Sequence, residues 1–170
     1  MDTTHLHLLL NHFPIIGTLI GILILAYGIY SGSRRTTKAA LFTIIIMSLI
    51  AIPVFLTGEP AEESVENLPG VSHAIIEEHE EAAEIAIWLM AILGIISAIS
   101  LINLISKNQI NKSLVLTALF AGLLTFAAMA RTGYLGGKIR HSEIRGSSTM
   151  LNQNGEGSSE KTSGENDDDD

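Results

Sequence analysis

The sequence predicts an all-α, polytopic membrane protein, an antiparallel four-helix bundle with a disordered acidic tail. Four apolar runs carry the prediction, at residues 13–30, 39–56, 85–105 and 114–130, and none contains a charged residue. Crossing the hydrocarbon core takes roughly 20 mostly apolar residues, within about 17 to 25, and each run fits. A soluble core helix keeps a polar stripe at period 3.6, and these runs show none. The third observation is that all six histidines stand near one end of the four runs: His5, His7 and His12 before the first, His73 and His79 before the third, His141 after the fourth. Consecutive spans alternate direction, so these positions share one membrane face.

The first run follows Met1-Asp2-Thr3-Thr4-His5, and basic residues come only after it, at Arg34, Arg35 and Lys38. A signal peptide begins with positive charge, so a retained span is expected here. His12-Phe13-Pro14 opens this span, with proline in the first turn, where its missing N–H costs nothing. His5 and His7 precede it on a two-residue spacing and read as solvated. Small residues recur along the spans at Gly17, Gly21, Gly94, Ser97 and Gly122. In lipid such residues let helices approach closely.

After the second span, Glu59-Pro60 and Leu68-Pro69-Gly70 are turn signals, and a loop is expected over 58–70. An amphipathic helix over 72–84 then runs into the third span, with Ser72 as its N-cap. His73, Glu77, Glu80, Glu81 and Glu84 share its broad polar face. His73 and His79 are six residues apart, near 240° around the helix at about 100° per residue, so one straight helix does not aim both at one small metal. Beyond the fourth span, Arg131 stands where a charge must snorkel, pair or face a polar cavity, and Glu78, Glu81 or a bound anion can pair with it. Gly136-Gly137 permits a left-handed exit or close backbone approach, and either way the chain can fold back and bring His141 over the bundle mouth.

Residues 1–145 form the expected transmembrane domain and 146–170 a low-complexity tail. The tail carries Glu156, Glu160, Glu165 and four terminal aspartates against Lys161, so most of the net charge of −8 resides there. Such a segment buries too little apolar surface to offset its ordering entropy, and disorder is expected. The acidic balance therefore says little about partners of the membrane domain. No phosphate loop or nucleophile–base pair is visible, and neither nucleic-acid binding nor hydrolysis is expected.

Short loops set orientation through Lys and Arg. Loop 31–38 holds Arg34, Arg35 and Lys38, loop 106–113 holds Lys107 and Lys112, and 58–84 has no basic residue. Both short loops are expected in the cytoplasm, with the termini and all histidines outside. Arg131, Lys138, Arg140 and Arg145 oppose this assignment from the outer side.

Cysteine is absent, which excludes disulfides, thiolate ligands and c-type haem attachment and leaves histidine as the strong metal ligand. Histidine both binds metals and titrates near neutral pH. His12, His79 and His141, each from a different helix end, are the expected centre, with His73 as a further ligand and Arg131 as an anion partner. The Glu neighbours of His79 can hold its second nitrogen, as partners of metal-bound imidazoles do.

His-Phe-Pro opening span one, Thr57-Gly58 closing span two, a histidine leading into span three, and Gly-x-x-Gly-Gly-x-ϕ-x-His after span four resemble an uncharacterised bacterial family of four-helix membrane proteins. The likeness runs from about His5 to Gly146. The family's opening is His-Pro-x-x-x-His-Phe-Pro, and here Leu6 or Leu8 stands where proline is expected. The resemblance implies the bundle topology, a bacterial inner-membrane location, and His12, His79 and His141 as the carried-over positions.

Three functional readings stay open. The first is a redox-associated subunit with b-type haem, whose iron takes axial imidazoles, passing electrons to or from a membrane or periplasmic partner; Arg131 and Lys138 are available to its propionates. The second is a copper or zinc site on His12, His79 and His141, since imidazole suits both metals. The third is a structural or accessory membrane subunit without cofactor, its histidines touching headgroups or a partner.

Overall fold

The computed structural model describes residues 3–64, 66 and 71–140. The tail over 146–170 and His141 lie outside the described residues. Among those described, the chain is helical throughout, in the order α1 (Thr3–Leu10), α2 (His12–Ser31), α3 (Arg34–Leu56), α4 (Gly58–Glu63), α5 (His73–Lys107) and α6 (Lys112–Arg140). Four stretches are long and apolar enough to cross a membrane, and they coincide with the four expected spans.

The spans close into a ring: α2 packs on α3 and α6, and α5 packs on the same two helices. Thr18 reaches across it to the sulfur of Met90, at 3.7 Å. The exterior is as apolar as the core. Ile20, Leu23, Tyr27, Trp88, Ile95, Ile102, Phe120 and Leu124 are exposed, while Thr18, Thr37, Ser97, Ser100 and Thr125 are buried. Lipid tails reverse the usual pressure, because they are as apolar as the side chains facing them. What draws the helices together is close packing at small residues. A Cβ on Gly21 would lie 2.7 Å from Ile44, on Gly94 2.9 Å from Ser48, and on Gly122 2.9 Å from Ile22. Gly17 lies directly against Met47 in the same way. All the small residues expected at interfaces are found there.

Three of the buried hydroxyls, on Thr37, Ser100 and Thr125, bond to helix carbonyls. Thr125 gives its hydrogen to Ala121 at 2.8 Å or to Leu89 on α5 at 3.3 Å. Ser100 does the same with Ile96 and, at 3.4 Å, with Leu114 on α6. Interhelical bonds of this kind average about 0.6 kcal/mol each in a membrane, so they refine the packing more than they drive it.

The loops after α2 and α5 are short because left-handed residues reverse the chain at once. Gly32 has φ +64° and caps α2, with bonds back to Gly28 and Ile29. Asn108 has φ +51° and ends α5. Ser33 caps α3, its hydroxyl accepting from the Thr36 amide at 3.3 Å.

Four local expectations are corrected at the opposite end. Residues 3–10 form a helix rather than a solvated lead, because α1 packs on α4, α2 and α3. Within the expected loop, 58–63 is helical, and its Ala61 is buried. Ser72 holds the N-cap position of α5 with extended backbone but gives no side-chain cap bond. The chain does not fold back at Gly136-Gly137: α6 continues through it to Arg140, and of the two expected roles Gly136 takes close approach. Gly136 faces His79 and Gly133 faces Ile15, so close approach explains both glycines.

Candidate functional site

The ends of the helices opposite the short loops form a mouth, and two histidines are built into it. His79 is half-buried on α5, less than two turns from where that helix begins. Its Nδ1 lies 3.0 Å from the Thr132 carbonyl of α6. That carbonyl already serves the α-helix, and the imidazole takes its second lone pair. Gly136 stands four residues on, where a side chain would cover the carbonyl. A Cβ there would lie 3.1 Å from Cε1 of His79 and 3.4 Å from Nδ1.

His7 is the second. It is half-buried on α1, with Nδ1 3.0 Å from the Val54 carbonyl and 3.3 Å from the Thr57 hydroxyl. Val54 lies in the last turn of α3, whose terminal carbonyls have no partner within the helix. Its ring also approaches Gly58, 3.8 Å from the position a Cβ would take. The two rings belong to one end of the bundle, His7 bonded to the end of α3 and His79 to α6.

A carbonyl oxygen only accepts. Each Nδ1 must therefore carry the hydrogen, which leaves each Nε2 with a free lone pair in the neutral imidazole. Metal-bound imidazoles are commonly oriented in this way, with the second nitrogen donating to a backbone carbonyl.

Carboxylates stand on the neighbouring helices, at Glu59 and Glu62 on α4 and at Glu78 and Glu80 on α5. Glu62 on α4 has its carboxyl pushed above its ordinary 4.5, first by burial, then by the charges of Glu80 and Glu59. Arg131 pairs with Glu78 at 3.6 Å, which chooses one of the two expected carboxylates. Both partners are about half exposed, and surface pairs of this kind are worth roughly 0–1 kcal/mol. Lys138 sits 4.9 Å above the ring of Tyr134.

The other expected ligands stand apart from this arrangement or outside the description. His12 is exposed at the first residue of α2. His73 is exposed and pairs with Glu66 at 3.5 Å, so it and His79 serve different surroundings, as their spacing on one helix requires. His141 lies outside the described residues. Among the described residues, no group of three or more His, Cys, Asp or Glu stands at metal-holding distance. His7 is the residue the sequence reading passed over. The signal the sequence offers is that His7 precedes His12 by five residues. Thr132 and Gly136, four apart, were a second signal.

Comparison with protein-family models, curated proteins and solved structures gave no match.

Proposed function

We propose that this integral membrane protein is a redox-associated subunit that holds b-type haem at the mouth of its bundle, with His79 as an axial ligand. The observation that carries the reading is the His79 imidazole, half-buried between α5 and α6 with Nδ1 committed to the Thr132 carbonyl and Nε2 left for a ligand. Haem iron needs only axial groups from the protein, because the porphyrin supplies the rest. Zinc sites take three or four protein ligands, and no such group stands among the described residues. Haem suits this donor set better than copper or zinc does. Arg131, whose pair with Glu78 is weak and exposed, is available to a propionate.

The basic short loops support a mouth on the outer face of a bacterial inner membrane, where a membrane or periplasmic partner would exchange electrons. The family resembled by His12-Phe13-Pro14 and Gly136-Gly137-x-ϕ-x-His141 belongs to the same proposal.

The test is purification of the full chain in detergent after expression with haem supplied. The expected preparation is coloured, its dithionite-reduced spectrum shows a b-type α band, and His79→Ala loses that band. A colourless preparation would leave the cofactor-free accessory role; stoichiometric copper or zinc by elemental analysis would favour a metal site instead.

A further inference from the structure

We infer that the second axial ligand is His7, carried to the mouth by α1, so that the haem site is the pair His7 and His79. This rests on the haem reading above and names the partner of His79 within it.

Three observations single out His7. The first is its matching preparation. His7 and His79 are each held through Nδ1 by a main-chain carbonyl, at 3.0 Å in both cases. Both therefore present Nε2. Axial imidazoles need this orientation, because a ring free to spin spends rotamer entropy on every ligation. The second is placement: His7 is bonded to the last turn of α3 and His79 to α6, at the same end of the bundle and from different helices. Two imidazoles on separate helices can approach one iron from opposite sides, which two on a single helix cannot.

The third is a polar atom on the same face. Asn11 follows His7 by four residues, one turn along, and its amide donates to the His7 carbonyl at 2.9 Å. Its side-chain oxygen Oδ1 is buried and has no hydrogen-bond partner among the described residues. A buried acceptor left unpaired costs about 1–3 kcal/mol, and native structures retain few without a functional reason. A group bound beside His7 and carrying a donor, such as a protonated propionate or an ordered water, would satisfy it.

His12, the sequence-stated alternative, fits less well. It is exposed, and five residues from His7 place it about 140° around a continuous helix at roughly 100° per residue. One helix therefore offers the mouth His7 or His12, and the anchored ring is His7. Residues 3–10 then have a role beyond packing. They form a ligand-bearing cap, and haem binding would hold α1 down on α3 and α4.

The test uses full-length protein purified with hemin supplied. Wild type should give a low-spin, six-coordinate spectrum, which His12→Ala leaves unchanged. His7→Gly should lose the low-spin signature, and added imidazole should restore it by filling the vacated position. His7→Met should keep six-coordination and raise the midpoint potential, because thioether ligation favours ferrous iron. A coloured His7→Met protein with the wild-type spectrum and potential would overturn the pair while leaving haem binding in place. Loss in His7→Gly without rescue by imidazole would also overturn it, because a structural role gives that result. A colourless wild type would end the haem reading and this inference together.

Discussion

Gly136 leaves its Cα bare against the imidazole of His79, and a Cβ there would stand 3.1 Å from Cε1. Gly137, its neighbour, has nothing within 4 Å of the same construction. Both lie inside α6, where alanine is preferred to glycine by about 1 kcal/mol. Gly137→Ala should therefore hold or raise the melting temperature in detergent. Gly136→Ala should lower it, because overpacking a tight contact costs about 1–3 kcal/mol. It should also displace the His79 ring and weaken whatever that ring binds. Equal melting temperatures for the two variants would mean that Gly136 does not set the position of His79.

The hairpin of α2 and α3 offers a second comparison. A Cβ on Gly28 would meet the Thr37 amide nitrogen at 2.9 Å and its Cα at 3.2 Å, atoms of a backbone that cannot step aside. Gly17 would meet only the flexible thioether of Met47, a side chain that adapts to irregular space. Gly28→Ala should cost about 1–3 kcal/mol and Gly17→Ala distinctly less. The reverse order, measured by thermal unfolding in one detergent, would contradict this packing.

Glu62 sets a pH dependence. Its carboxyl titrates above 4.5 in the folded protein, chiefly through burial and secondly through Glu80 and Glu59. Between 4.5 and that raised value the folded state holds more protons than the unfolded state, so stability falls as pH rises through the window. The contribution is fully present below 4.5 and lost above the raised value. Glu62→Gln should flatten the profile there and stabilise the cap of α1 and α4 at neutral pH. Protease sensitivity near α4 that is unchanged between the two proteins at pH 7 would argue against it.

Orientation is open to direct labelling, since the chain has no cysteine of its own. Single-cysteine variants at Ser31 and Ser64 should react from opposite sides in intact cells. Ser31→Cys is expected to be protected from impermeant reagent and Ser64→Cys to be labelled. The opposite pattern would place the histidine mouth in the cytoplasm.

The four spans were legible because each depends on a local property, a charge-free apolar run of bilayer length. The expected run at 13–30 became His12–Ser31 and that at 85–105 became the membrane part of His73–Lys107. The interface residues Gly17, Gly21, Gly94, Ser97 and Gly122 were legible for a related reason, since lipid rewards small residues wherever helices touch. The site was only half legible. His79 stood out by its place above span three, but His7 was read as solvated, because nothing local makes an eight-residue helix stable.

The sequence by itself determined the number of spans, their lengths and the small residues between them. Each follows from composition over one turn or one span, which the bilayer reads directly. Only the tertiary structure decided that α1 and α4 are helices, since segments that short are marginal until neighbours bury them. It alone decided that α6 runs through Gly136-Gly137, where Gly136 answers to His79, 57 residues earlier in the chain. It alone joined His7 to the end of α3 and His79 to α6. Those contacts depend on which carbonyl is left uncovered, a property of packed helix ends that no stretch of sequence carries alone.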